Sequence, residues 1–279
     1  MDQRVAIVTG ASSGIGEAVA RALHVQGFRV YGAARRVDRM SALAEAGIEV
    51  RPLDVTDDAS MVAFVDAVIA ERGRIDVLVN NAGYGSYGAL EDVPMDEARR
   101  QFEVNVFGLA RLTQLVLPHL RARGSGRIIN ISSMGGKIYE PLGSWYHATK
   151  FAVEGLSDSL RMELAPLGIQ VVVIEPGAIK TEWAGISAES VRQRSADGPY
   201  AQQARQVAAV LDAGSGETAR GSAPSVVADA VVKAATASRP RTRYVVGLGA
   251  KPMLLARKVL PDRGFDRVMR LIYRQAERM

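Results

Sequence analysis

Cysteine is absent from the 279 residues, aromatic side chains make up 6% of them, and histidine occurs three times. Each scarcity removes a class of chemistry. Without thiols there is no disulfide framework, no thiolate nucleophile and no Cys-based metal site. His24, His119 and His147 are scattered without ligand spacing, so no metal is expected. No apolar run approaches the roughly 18 residues that cross a bilayer. The opening stretch MDQRVAIVTG carries an acid and passes directly into a strand-like run, unlike the charged flank and cleavage site of a secretory leader. A cytoplasmic location is expected.

Charge is scarce in a second sense, because it is confined to one place. The net charge is +5, from 35 Lys and Arg against 30 Asp and Glu. Residues 251–279 hold eight of those cations and three of those acids, which leaves residues 1–250 balanced. A nucleic-acid-binding body would need a basic face on the fold itself, so no nucleic-acid partner is expected.

What the chain does have is alternation. Apolar runs at 5–10, 29–35, 48–55, 75–83, 127–133, 169–177 and 243–247 lack polar spacing, as suits strands of a parallel sheet covered on both faces. Helical periodicity fills 14–26, 57–72, 96–122 and 146–167, with Thr56 or Asp57 as the cap of the second. The expected fold is α/β: a doubly wound parallel sheet of about seven strands, a Rossmann fold, with ligands at the carboxyl ends of the strands. Residues 1–250 read as one domain. Residues 178–224 interrupt the alternation with a long polar stretch rich in Gly and Ser, read as a substrate lid or a partly mobile segment.

Two short patterns carry chemistry. In TGASSGIG, Gly10, Gly14 and Gly16 let the chain turn tightly after the first strand and let a pyrophosphate approach the start of the next helix. In PLGSWYHATKF, Tyr146 precedes Lys150 by one helical turn. A phenol with a pKa of about 10 is a poor base at neutral pH, and an ammonium on the same helical face favours the phenolate. His147 lies roughly 100° away around the helix and receives no catalytic part.

Together with NNAG at 80–83, Asn105 in FEVNVFG, INISS at 129–133 and PGAIKT at 176–181, these patterns resemble the short-chain dehydrogenase/reductase family over about residues 4–250. The resemblance implies a nicotinamide cofactor, a homo-oligomer (dimer or tetramer), and a catalytic set at Asn105, Ser133, Tyr146 and Lys150. The family's spacing selects Ser133 over its neighbour Ser132. Tyr146 would be the acid/base, Lys150 its electrostatic partner and a holder of the ribose, Ser133 a donor to the substrate oxygen, and Asn105 the holder of a water. Cofactor contacts would come from Gly10, Ser12, Ser13, Gly14, Ile15 and Gly16, from Asp54 and Val55, from Asn81, Ala82 and Gly83, from Tyr146 and Lys150, and from Pro176, Gly177, Ile179 and Thr181. An NAD enzyme usually has a carboxylate at the end of its second strand. Here Ala34 is followed by Arg35 and Arg36, which suits a 2′-phosphate and hence NADP rather than NAD.

The reading of the substrate is coarser. Tyr84, Tyr87, Tyr139, Leu142, Trp145 and Trp183, with few charges beyond Lys137, Glu140 and Glu182, suggest a bulky apolar alcohol or ketone, steroid-, retinoid- or lipid-like. The overall look is nearest to hydroxysteroid and retinol dehydrogenase-like members. Two alternatives stand beside that reading: a non-catalytic NADP-binding regulator or scaffold, and a reductase of a small or polyketide-type carbonyl. In the basic tail, Phe265, Val268, Met269 and Ile272 recur at helical spacing opposite Arg267, Arg270 and Arg274. Such a helix either docks on the protein or makes a peripheral membrane contact.

Overall fold

The computed structural model describes residues 3–214 and 220–276. Strands β1 (Val5–Thr9), β2 (Arg29–Ala34), β3 (Glu49–Pro52), β4 (Val77–Asn80), β5 (Gly126–Ile131), β6 (Ile169–Pro176) and β7 (Arg243–Val246) form one parallel sheet in the order β3-β2-β1-β4-β5-β6-β7. The order reverses between β1 and β4. A crevice therefore opens above their carboxyl ends, where a doubly wound sheet takes its ligands.

The helices are α1 (Gly14–Val25), α2 (Ser41–Glu45), α3 (Asp58–Arg72), α4 (Met95–Phe102), α5 (Leu109–Arg123), α6 (Ser144–Leu164), α7 (Glu182–Ser195), α8 (Ala201–Asp212), α9 (Ser225–Thr236), α10 (Ala250–Val259) and α11 (Asp262–Ala276). β1 shows why its sequence is apolar throughout. Ala6 and Val8 face α1 and α9, while Val5 and Ile7 face α3 and α5, and all four are buried. Each buried Val or Ile among them contributes about 1.5–3 kcal/mol.

Element boundaries depart from the sequence reading where the chain turns to build the crevice. The fourth strand stops at Asn80, because the Asn81 and Ala82 amides leave the ladder to donate to Thr9 Oγ1, both at 3.0 Å. Asp57 caps α3 by accepting from the Ala59 amide at 3.0 Å, whereas Thr56 bonds Asp54. The helix expected over 96–122 is broken by a π-helical turn at Glu103–Gly108 that carries Asn105. Such turns insert one extra residue per turn and re-aim a side chain.

The insert at 178–224 is not an open polar segment: most of it is the helical pair α7 and α8. Ala188, Val191, Ala204, Val207 and Ala208 are buried between and beneath these helices. Alanines at helical spacing supplied a seam that the Gly/Ser-rich composition concealed, although residues 215–219 of the insert lie outside the described residues. The tail forms α10 and α11, and α11 packs on α8 through Phe265, Met269 and Tyr273. The buried stripe is rotated from the expected one: Ile272 is 38% exposed and Tyr273 only 4%. Residues 277–279 of the tail lie outside the described residues.

Candidate active site

The nucleotide end of the crevice is built from backbone. Gly10 and Gly14 have φ of +67° and +56°, a region that side chains with a Cβ avoid. A Cβ on Gly16 would lie 2.2 Å from the Gly10 carbonyl oxygen, so only glycine lets α1 start this close to β1. Ser13 precedes α1 in extended conformation and caps nothing with its side chain. The first amides of the helix therefore face the turn at Ser12–Ile15 without a side-chain acceptor, as an anion site requires. Asn81 Nδ2 braces the turn by donating to the Thr9 carbonyl at 2.9 Å. Gly83 lies against the Asn105 side-chain oxygen. Thr9, whose hydroxyl organises this wall, carries no signal in the sequence beyond its place before Gly10.

Asp54 accepts from the Thr56 amide at 2.9 Å and hydroxyl at 2.8 Å. Burial pushes its carboxyl up, but these bonds outweigh burial and hold it below the usual carboxylate range. Val55 beside it is buried. Ala34 ends β2, and Arg35 and Arg36 beyond it are exposed; among the described residues neither guanidinium makes a hydrogen bond or ion pair. Asp38 lies past the strand end, in the 3₁₀ turn Val37–Met40. Three glycines, an uncapped helix start and two uncommitted arginines fit a dinucleotide.

The chain from Pro176 to Trp183 joins the two ends of the crevice. Gly177 donates its amide to Val246 at 2.8 Å, and Ile179 is buried against the core. Thr181 then covers Gly14, where an added Cβ would meet its methyl at 3.0 Å. Glu182 pairs with Arg39 at 2.6 Å. Trp183 lies with its ring centroid 5.1 Å from that of Tyr146. Three consecutive residues thus touch the phosphate turn, the edge beyond β2 and the phenol.

Asn105, Ser133, Tyr146 and Lys150 converge beyond β4 and β5. Ser133 follows β5, accepts from the Gly135 amide at 3.0 Å and faces the Tyr146 phenol, which it pulls down. Lys150, 9% exposed, donates to the Ile131 carbonyl at 3.0 Å. Asn105 donates to the Tyr84 carbonyl at 2.9 Å and to the Thr149 hydroxyl at 3.1 Å, and accepts from the Tyr84 amide at 3.0 Å. Its side chain ties the loop after β4 to α6 next to Lys150.

Burial holds the Tyr146 phenol above its ordinary value, with Ser133 pulling it down and Glu140 adding to the rise. Burial also lowers Lys150, to about 8, against the attraction of Glu154. A protonated phenol is a proton donor.

Of the expected substrate-lining residues, Tyr87, Leu142 and Trp183 gather at Tyr146. The Tyr87 ring lies 5.6 Å from that of Tyr146 and 6.0 Å from that of Trp183. Leu142 is buried with φ of +59°, a strained conformation that the surrounding packing imposes. Tyr84 and Trp145 turn elsewhere, whereas Tyr139 packs on the same cluster from the α11 side. Tyr84 donates to Glu97 at 3.2 Å, and Tyr139 donates to Asp266 at 2.9 Å and stacks on Phe265. Trp145 packs edge-on against Phe102 at 6.3 Å. Neighbouring residues of a helix point about 100° apart, and Trp145 turns towards Phe102 rather than towards the Tyr146 cluster.

A further group escaped the sequence reading altogether. Glu154 and Glu175, both nearly inaccessible, are clasped by Arg243 at 2.9 and 3.3 Å, and Lys137 reaches Glu154 at 3.2 Å. Burial and the neighbouring Glu154 push the Glu175 carboxyl up. This ion cluster stands one helical turn behind Lys150.

The short chain dehydrogenase family model matches residues 4–191, and the chain belongs to the short-chain dehydrogenase/reductase family. It is 38% identical over 280 residues to oxidoreductase YusZ of Bacillus subtilis, covering 97% of this chain and 98% of that protein. It is 35% identical over 277 residues to the NADPH-dependent 3-dehydrocapnine reductase of Ornithobacterium rhinotracheale, covering 95% of each. A short-chain dehydrogenase from Streptomyces avermitilis superposes with a TM-score of 0.77 at 34% identity, over 100% of this chain and 98% of that one. A metagenomic short-chain oxidoreductase in complex with NADP does so with a TM-score of 0.68 at 30% identity, over 87% and 96%. The protein is a nicotinamide-dependent oxidoreductase acting between an alcohol and a carbonyl.

Proposed function

We propose that the protein is an NADP(H)-dependent reductase of a bulky, apolar, lipid-like ketone. The Tyr146 phenol, buried among Tyr87, Leu142 and Trp183, is the observation that carries this reading. The nicotinamide, when bound, supplies the hydride. Tyr146 gives its proton to the carbonyl oxygen, Ser133 hydrogen-bonds that oxygen as charge develops on it, and Lys150 holds the ribose and its own positive charge beneath. Asn105 keeps the loop at Tyr84 and the Lys150 turn in register. Pro176, Gly177, Ile179 and Thr181 line the nicotinamide, Asp54 and Val55 the adenine, and Arg35 and Arg36 take the 2′-phosphate. The 3-dehydrocapnine reductase is NADPH-dependent by name, which supports the same cofactor here.

Residues 1–250 act as the oxidoreductase unit, and the tail 251–279 completes the substrate wall through α11. No helix among the described residues is long and apolar enough to cross a membrane. Leu255 and Leu271, 62% and 56% exposed among the tail's arginines and lysines, favour peripheral contact with an anionic membrane from the cytoplasmic side. Phe107 and Phe151, 55% and 46% exposed, suit a contact between copies in a dimer or tetramer. NADPH oxidation measured against long-chain, steroidal, retinoid and small ketones tests the assignment. Turnover of at least one apolar ketone is expected, and tight NADPH binding without turnover of any carbonyl would overturn it.

A further inference from the structure

Glu140 is the one acidic side chain of the substrate wall without a basic partner among the described residues. Glu97 and Glu182, its nearest rivals, face Arg194 at 3.4 Å and Arg39 at 2.6 Å. Lys137, three residues before Glu140, is committed to Glu154, and Arg257 of α10 pairs with Asp262 at 2.9 Å. Two phenols meet the Glu140 carboxylate instead. Tyr87 donates to it at 3.4 Å, long for such a bond, and the carboxylate's field reaches the buried Tyr273 phenol of α11. Burial and that field keep both phenols protonated, so neither cancels its charge. The field of that charge reaches the Tyr146 phenol. This half-buried carboxylate, in a wall otherwise made of Tyr87, Leu142, Trp183 and Ile138, is free to accept charge-assisted hydrogen bonds from a cation.

Taking the ketone-reductase reading above as given, we propose that Glu140 binds an ammonium group carried by the substrate close to its carbonyl, so that the substrate class is a long-chain amino ketone. Tyr87 and Tyr273 steer the carboxylate, and the apolar wall takes the alkyl chain. Pairing also serves the chemistry. The Glu140 charge adds to the burial that keeps the proton on Tyr146, and a bound ammonium offsets that field, so the phenol gives up its proton more readily once the correct substrate is in place. The tail thereby gains a function, since α11 brings Tyr273 to the site.

The test uses the full chain with NADPH and three ketones of one chain length: an α-amino ketone, its N-acetyl derivative and the ketone without nitrogen. The wild type should prefer the amine over both others by about tenfold to a hundredfold in kcat/KM, the range of a charge-assisted hydrogen bond. In Glu140→Gln the ratio of amine to nitrogen-free ketone should collapse towards one. Tryptophan fluorescence titrations of the same compounds with NADPH bound, in the Trp145→Phe background so that Trp183 reports alone, read affinity apart from turnover. Tighter binding of the amine without turnover of any ketone would uphold the subsite and overturn the reductase reading. Equal kcat/KM and equal affinity for the amine and its N-acetyl derivative in the wild type, or a ratio unchanged in Glu140→Gln, would overturn the subsite.

Discussion

At the nucleotide end, Thr9, Gly10, Gly14, Gly16 and Asn81 come from two neighbouring strands and one turn, and backbone geometry sets their places. At the substrate end, Tyr87, Glu140, Trp183 and Tyr273 come from four segments spread over most of the chain and meet through packed side chains. The first arrangement is a local motif, repeatable wherever a strand runs into a helix. The second exists only once α7, α8 and α11 have packed together. Binding the shared cofactor therefore belongs to the sheet, and choosing the substrate belongs to the helices added above it.

The largest effect should fall at Tyr146, where the two ends meet. Tyr146→Phe removes the proton donor and little binding surface, so turnover should fall by roughly 10²–10⁴-fold with NADPH affinity nearly unchanged. Steady-state rates beside NADPH fluorescence titration check this. A wild-type rate would remove the phenol from the mechanism and dissolve the division drawn here.

The next substitution confines the change to the nucleotide end. Ala34→Asp with Arg35→Ser places a carboxylate at the end of β2 and removes a cation. The preference for NADPH over NADH should swing by about a hundredfold, since the new charge repels the 2′-phosphate and accepts from the ribose hydroxyl. The ranking of ketones should not move. A wild type that already favours NADH would refute the role of Arg35.

Trp183→Ala does the converse. It strips ring contacts from Tyr87 and Tyr146, and KM for the apolar ketone should rise about tenfold, as loss of such an aromatic contact allows. NADPH affinity should change less, although Thr181 and Glu182 on the same segment touch the nucleotide end. If NADPH affinity falls as far as ketone affinity, residues 181–183 act as one clasp and the two ends are not separable.

How much of this was legible in the sequence follows the same division. The parallel sheet and the glycine turn were readable because period and φ fix them, and short spacings announced that Ser133, Tyr146 and Lys150 would lie near one another. Trp145 faces Phe102 instead of the Tyr146 cluster, because an aromatic residue next to Tyr146 in sequence need not face the same way. The tail was half legible: its helix showed, but Tyr273 did not, since its partner Glu140 lies far away in the chain. Nothing in the sequence joined Glu154 to Glu175 and Arg243, which become neighbours only through the pairing of β6 with β7 and the packing of α6 against β6.

That cluster yields the smallest effect, and the one that probes the junction of the two ends. Lys150 serves both ends while positively charged, and burial has brought it down to about 8. Its charged form is therefore present below that pH and lost above it, which predicts an alkaline limb of kcat/KM near pH 8 for the wild type. The Glu154 carboxylate works against burial and raises Lys150. In Glu154→Gln that support disappears, Lys150 loses its proton at lower pH, and the limb should move down by up to about one unit, since a unit corresponds to about 1.4 kcal/mol of interaction between the charged groups. Arg243 and Lys137 lose a partner as well, and the resulting damage to the fold would lower the rate at every pH without moving the limb. A pH profile from 6 to 10 separates the two, and a limb that stays in place would show that Glu154 is only a structural anchor for Arg243.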